Sequence, residues 1–254
     1  MSRMTGMSGT NGMIAFDIGE VIERFPTFHV GMVVATGLRV TTERPAALAE
    51  LIAAEERATG QAIGDAPLGD VPELGAWREA YRQFGVKKTS YRSSVERLVK
   101  KARQGDELPR INTLVDVYNL ISLRYQMPVG ADDLDQVISP VAYRFSRPGD
   151  SFIPLGDPES AEDPPLPGEV VYADANRVLC RRWNWYQDAR SAISTGTTRA
   201  LLNVEAIEPA SAARVEAATA ELAALLAEFC GAQASWQVFD AAHPSGMLEN
   251  PAGG

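Results

Sequence analysis

The sequence predicts an α+β fold in one domain, two at most, and three observations carry that expectation. The first is size: 254 residues with 45% hydrophobic content suffice to bury a full core. The second is a dense apolar run, Phe28–Thr36, fit for the interior of a sheet. The third is the stretch Leu108–Tyr125, where Ile111, Leu114, Tyr118, Ile121 and Tyr125 recur at steps of three and four. Val115, Val117 and Leu120 widen that stripe most of the way round, so this helix belongs inside the domain.

In chain order, residues 1–11 are rich in Gly, Ser, Thr and Met and are expected to be disordered, with the domain over 12–241 and a flexible tail over 242–254. Met13–Asp17 and Phe28–Thr36 are predicted strands. Pro45–Thr59 reads as an Ala-rich amphipathic helix, Gly60–Asp70 as a linker, and Val71–Phe84 as a helix with Leu74, Trp77 and Tyr81 on one face. Thr89 or Ser90 suits the N-cap of a helix running to Gln104, with Val95, Leu98, Val99 and Ala102 toward the core. The central helix follows Pro109 and stops at Met127-Pro128-Val129-Gly130, because Pro cannot continue it and Gly suits the turn. Beyond it, Val137–Phe145 and Phe152–Leu155 are predicted strands and residues 156–168 an acidic, Pro-rich surface loop. Glu169–Ala173 and Arg177–Arg181 form a hairpin-like pair around Asp174-Ala175-Asn176. Thr198–Glu208 is a strand, Ser211–Phe229 a long helix and Ala234–Phe239 a closing strand.

A formal charge of −9 argues against a general nucleic-acid coat while leaving room for a local basic patch. The two cysteines, Cys180 and Cys230, give neither a disulfide framework nor metal-site spacing, and suit a reducing cytoplasm. No apolar run is long enough to span a membrane, and no charged-then-apolar signal opens the chain. There is no G-x-S-x-G elbow, Walker loop, dinucleotide fingerprint or H-E-x-x-H, and with only His29 and His243 a histidine triad is not expected. No metal and no cofactor is predicted. An enzyme built on this chain would position water and substrate through hydrogen bonds, without a protein nucleophile.

Three constellations are candidates for function. Asn112, Asp116 and Asn119 form a narrow polar strip on the buried helix, and short buried polar groups need partners. They either clamp the following loop or line a site for a polar ligand. In Cys180–Ala206, Trp183 and Trp185 would share one face if the strand continues that far, with Asn184 on the other. Such rings either stack on an RNA end or fill a core. Asn184 and Gln187 offer amide donors and acceptors, and Ser194, Thr195, Thr197 and Thr198 make a hydroxyl-rich loop around Gly196. The third is basic: Lys87, Lys88, Arg92, Arg97, Lys100, Lys101 and Arg103, either a solvated helix face or a contact to an RNA backbone.

Val115-Asp116-Val117-Tyr118-Asn119 followed by Met127-Pro128-Val129-Gly130-Ala131-Asp132-Asp133-Leu134-Asp135 resembles the helix and loop that open the B3/B4 domain of the phenylalanyl-tRNA synthetase β subunit. Leu108–Asn119 and Cys180–Trp185 are similar to the habitual L-P-R-I-N-x-L-V-D-x-Y-N and C-R-R-W-N-W of free-standing B3/4 domain proteins, and the likeness runs from about Trp77 to Ala206. The resemblance implies a single B3/B4-like α+β domain with helices packed on mixed or antiparallel sheets. It also implies a pocket for the aminoacylated end of tRNA, with hydrolysis of mischarged aminoacyl-tRNA in trans as the activity to expect. The expected partners are the tRNA acceptor end or an aminoacyl-tRNA and a small amino acid; a complete aminoacyl-tRNA ligase is not expected.

Carried over by position, the family's P-x-H-A-F-D loop falls on Pro128, Gly130, Ala131, Asp132 and Asp133, so Gly130 stands where the family has its pocket histidine. The family's L-L-E-x-A strand falls on Leu201–Ala206, so Asn203 takes the place of the editing-site glutamate and Glu205, two residues on, returns to the same face. Asn203 and Glu205 are the candidate catalytic residues. Asn112, Asp116, Asn119, Asp132, Trp183, Asn184, Gln187 and Thr195 are the candidate substrate-binding residues, and Lys87, Lys88, Arg92, Arg97, Lys100 and Lys101 the candidate RNA contacts. A noncatalytic module for an amino acid, nucleotide or tRNA end, or an enzyme for another acyl or amide substrate, is the alternative. Asn112–Tyr125 is expected to touch the strand around Cys180–Trp185.

Overall fold

Two sheets and a helical layer build the domain, and alternation along individual strands decides which residues face which layer. The computed structural model describes residues 13–86, 91–156 and 162–251. The chain opens with β1 (Met13–Asp17), the short α1 (Gly19–Ile22) and β2 (His29–Thr36), followed by α2 (Ala46–Ile63), α3 (Pro72–Gln83), α4 (Ser94–Gln104) and α5 (Thr113–Tyr125). Then come β3 (Val129–Asp133), β4 (Val141–Phe145), β5 (Val170–Ala173), β6 (Val178–Arg181), β7 (Tyr186–Gln187) and β8 (Arg199–Ala206). The chain closes with α6 (Ala212–Cys230), β9 (Gln233–Phe239) and β10 (Ser245–Glu249). One sheet runs β10-β1-β4-β5-β6-β7 and is mixed, since β1 and β4 pair in parallel while the other pairs are antiparallel. The other runs β3-β8-β2-β9 and is antiparallel throughout.

The antiparallel sheet lies in the middle. On β2, Val33 and Ala35 join the core under the helices, whereas Val30, Met32 and Val34 join the core between the sheets. This burial on both faces explains the unbroken apolar run. On β8, Leu202, Val204 and Ala206 face the helices while Leu201 faces the mixed sheet. Gly31 lets α6 lie close on β2: a Cβ there would collide with Thr219 Oγ1, whose hydroxyl donates to the Val215 carbonyl at 2.6 Å.

Helix α5 is buried nearly all round, with Leu114, Val117, Leu120, Ile121 and Leu123 wholly covered. It ends because Gln126 turns left-handed at φ 55°, and Met127 N–H closes on the Ser122 carbonyl. The segment expected to be a loop after it is instead β3, since Val129–Asp133 finds a pairing partner in β8. Helix α4 begins at Ser94, later than the Thr89 or Ser90 cap predicted, and those two residues lie outside the described ones. The linker expected from Gly60 is helical as far as Ile63. Phe152–Leu155 makes only an isolated bridge, between Pro154 and Asp188. Residues 245–249, expected to belong to a tail, form β10 and extend the mixed sheet by antiparallel pairing with β1. The expected disordered segment 1–11 lies outside the described residues, as does part of the Pro-rich loop.

Candidate functional site

A cavity of about 360 Å³ opens where β3, the edge of the central sheet, meets α4, α5 and the far end of the mixed sheet. Its inner wall is built by β8, where Asn203 and Glu205, two residues apart, both face it. Tyr172 of β5, Leu179 and Cys180 of β6 and residues 129–132 of β3 continue that wall. Val115, Tyr118 and Asn119 of α5 stand opposite, so α5 faces the Cys180–Trp185 segment across the cavity. Ser94, Arg97 and Lys101 of α4, with the exposed Ile111 and Leu155, also line it.

Glu205 is the most constrained group. It is 2% exposed, and its carboxyl accepts from the Tyr143 hydroxyl at 2.7 Å and from Asn184 Nδ2 at 2.9 Å. The Tyr81 hydroxyl in turn donates to Asn184 Oδ1 at 2.8 Å, which fixes the amide's orientation. No cation among the described residues pairs with Glu205, and burial pushes its carboxyl up to about 8, the two hydrogen bonds working in the opposite direction. Asp132 is similar: burial raises it to about 7, against the bonds it accepts from Ser191 and Gln187. Gln187 Nε2 also donates to the Ala131 carbonyl at 2.5 Å, tying β7 to β3. Burial and the neighbouring Glu205 and Asp132 raise the Cys180 thiol well above its ordinary value, so this cysteine is not an activated nucleophile.

Two of the positions that depart from the motifs the sequence resembles are cross-strand partners. Gly130 and Asn203 are paired in register, and Gly130 N–H donates to Asn203 Oδ1 at 2.9 Å. A Cβ at Gly130 would lie 3.1 Å from that oxygen, so the glycine keeps the amide's seat open. The buried Tyr172 hydroxyl lies beside Asn203 without a hydrogen bond of good geometry.

Of the polar strip on α5, only Asn119 reaches the cavity. Asn112 is the N-cap, its Oδ1 accepting from Val115 N–H at 2.9 Å. Asp116 is clamped by Arg44, whose Nε and Nη2 donate at 2.7 Å and 2.6 Å in a buried bidentate pair. Asn119, 8% exposed, has no hydrogen-bond partner among the described residues.

The predicted shared face of Trp183 and Trp185 does not form. Strand β6 stops at Arg181, and Arg182 and Trp183 take left-handed backbone angles, φ 47° and 68°. The reversal drives Trp183 into the core between the sheets, edge-on to Phe25, Phe28 and Trp77 at 4.9, 5.0 and 5.2 Å. Asn184 and Trp185 are the residues that turn toward the cavity. Trp185 stacks with the Arg182 guanidinium, 4.5 Å from the ring centre, and Tyr91 packs on the same guanidinium at 3.8 Å. Thr195 is exposed and does not line the cavity; in its loop the Thr197 hydroxyl donates to Asp133 at 2.7 Å and the Ser194 hydroxyl accepts from Gly196 N–H at 3.2 Å.

The basic segment also divides. Arg92 is paired with Glu96 on the next turn, and Lys100 is exposed away from the cavity. Arg97 and Lys101, four residues apart on one face of α4, line the cavity, and neither has a carboxylate partner among the described residues. Arg97 donates to the Trp185 carbonyl at 3.0 Å and lies over the Tyr186 ring. Lys87 and Lys88 lie outside the described residues. Sequence reasoning missed the hydroxyls of Tyr81, Tyr143 and Ser191, whose partners lie 103, 62 and 59 residues away and leave no local signal. Among the described residues no group of His, Cys, Asp and Glu could hold a metal, and no helix is long and apolar enough to cross a membrane.

No curated protein matches the sequence. Among solved structures, the chain is similar to an N-terminal fragment of the phenylalanyl-tRNA synthetase β subunit from Pyrococcus horikoshii, at 13% identity and a TM-score of 0.48. The alignment covers 86% of this chain and 49% of that one, so the chain spans about half the length of that fragment. The model of the B3/4 domain matches residues 76–231, a span that runs from within α3 to the end of α6 and holds every cavity residue named above. The chain belongs to the B3/4 domain family.

Proposed function

We propose that the cavity receives the aminoacylated 3′ end of a tRNA. The observation that carries this reading is the convergence, from separate segments of the chain, of Asn119, Asp132, Asn184, Gln187, Asn203 and Glu205 on one cavity that is also lined by Arg97 and Lys101, two cations without a carboxylate partner among the described residues. About 360 Å³ accommodates an amino-acid residue with part of a sugar, within the range of small-molecule sites. The polar wall supplies donors and acceptors for the ester and ribose, Trp185 and Tyr186 supply aromatic faces for a terminal base, and Arg97 and Lys101 face the phosphates that follow. The proposed setting is the cytoplasm, where charged tRNA is found.

A second reading, hydrolysis of that ester in trans, is favoured by one group. Glu205 is a buried carboxyl on the cavity wall that titrates at about 8, near the pH at which a general base works. Water oxygen would bond to the ester carbonyl carbon and the bond to the ribose oxygen would break. The proton lost by water would pass through Glu205 to that oxygen, leaving a free amino acid and a free hydroxyl on the tRNA. Gly130 and Asn203 weigh against editing by the family's own histidine and glutamate, and for recognition without chemistry.

Filter binding of aminoacylated and deacylated tRNA, run beside radiolabelled deacylation of a panel of mischarged tRNAs with a no-protein control, separates the two. Tighter binding of the charged forms without faster deacylation supports recognition alone. Accelerated release that is lost in Glu205→Gln supports the hydrolase. Equal affinity for charged and uncharged tRNA, with no deacylation, refutes the proposal.

A further inference from the structure

The cavity holds a second buried carboxyl that the ester chemistry does not use. Asp132 is 3% exposed and lines the cavity. Its Oδ1 accepts from Ser191 Oγ at 2.6 Å and from Gln187 Nε2 at 3.1 Å, while Oδ2 receives no donor among the described residues. No Lys, Arg or His among the described residues forms an ion pair with it. The groups that share its field are Tyr118 from α5, Tyr172 from β5 and Cys180 from β6, all neutral at physiological pH. Asp188 and Asp174 add like charge, and the former is already answered by Arg190 at 2.7 Å. Burial and these neighbours hold the carboxyl up at about 7. A buried carboxylate without a counter-ion is costly, and a cation delivered by a ligand removes that cost.

A second observation points the same way. Asn119 is 8% exposed, lines the same cavity and has no partner among the described residues, so its amide oxygen is free to accept. An ammonium group carries three donors and needs several acceptors. Where the synthetase loop that the sequence resembles has Phe, this chain has Asp132.

We propose that Asp132 and Asn119 form a subsite for a primary ammonium group, so that the ligands of this cavity are amines. The assignment rests on the aminoacyl-tRNA reading for the source of the amine, which there is the free α-ammonium of the aminoacyl ester. An N-acylated or α-hydroxy ester would be a poor ligand for the same cavity.

The test is isothermal titration calorimetry on the full chain with two matched pairs of probes. The first pair is a 3′-aminoacylamido-3′-deoxyadenosine and its α-hydroxy isostere; the second is the corresponding amino-acid amide and hydroxy-acid amide, which lack the nucleoside. The wild-type chain should bind the amine at least about tenfold more tightly than its isostere, as expected for a charge-assisted bond. Asp132→Asn should bring that ratio close to one. Asn119→Leu, which removes no protein hydrogen bond, should lower it with the fold retained and covers the case in which the first variant does not fold. Equal affinity for amine and isostere in the wild type, or an unchanged ratio in a folded variant, overturns the subsite. Amine preference kept in the amide pair, with no gain from adenosine, would sink the tRNA-end reading and leave the subsite standing. Failure of all the probes to bind overturns both.

Discussion

Replacing Glu205 by Gln should change how the stability of the domain depends on pH. The folded chain holds this carboxyl at about 8, against 4.5 when solvated, because burial penalises the charged form and no cation offsets it. A carboxyl whose folded value lies above its unfolded value contributes stability that is full below the unfolded value. That contribution falls as pH rises, and it is lost by the time pH passes the folded value. Between these limits the loss amounts to roughly 5 kcal/mol, a large part of the stability of an ordinary domain. The neutral amide of Glu205→Gln can still accept from Tyr143, and it does not titrate. Urea unfolding of both proteins from about pH 5 to about pH 9 gives two curves whose difference cancels Asp132 and every other titrating group. That difference should move by several kcal/mol in favour of the variant as pH rises. A difference that stays flat across the window would mean that Glu205 ionises as a solvated carboxyl, and the picture of a carboxyl buried without a cation partner would fall with it.

Other perturbations test neighbouring parts. Asn119→Leu removes no protein hydrogen bond, so urea unfolding should change by no more than about 1 kcal/mol while binding of charged tRNA is lost. The double change Arg97→Glu and Lys101→Glu should weaken tRNA binding and reduce the salt slope in filter titrations by about 2, whereas Lys100→Glu should alter both much less. Trp183→Ala should cost roughly 3–5 kcal/mol in denaturant unfolding, because the ring fills the core between the sheets and not the cavity. Arg44→Met leaves Asp116 buried without its bidentate partner and should cost about 3–5 kcal/mol by the same measurement.

The sequence by itself determined the elements whose burial follows a simple period. The apolar run of β2 is buried on both faces, and the stripe of α5 is buried nearly all round, because each pattern matches the geometry of its own backbone. It determined the family too, since Leu108–Asn119 and Cys180–Trp185 are local words that survive without the rest of the fold. It also placed Asn203 and Glu205 on one face, because two steps along a strand are a covalent certainty once the strand exists. Tertiary structure alone decided which polar groups were spent and which were free. Asn112, Asp116 and Asn119 look alike on a helix. One caps it, one is taken by an arginine 72 residues away, and only the last meets the cavity. The same holds for the tryptophans: a left-handed reversal at Arg182 and Trp183 sends Trp183 into the core and Trp185 to the cavity wall, where an alternating strand would have kept them together. Strands β3 and β10 were unreadable because neither has a strong pattern of its own; each is a strand only because β8 or β1 offers it a free edge. The partners that raise or hold a buried carboxyl come from segments distant in the chain, so the chemistry of Asp132 and Glu205 exists only after folding has removed water from around them.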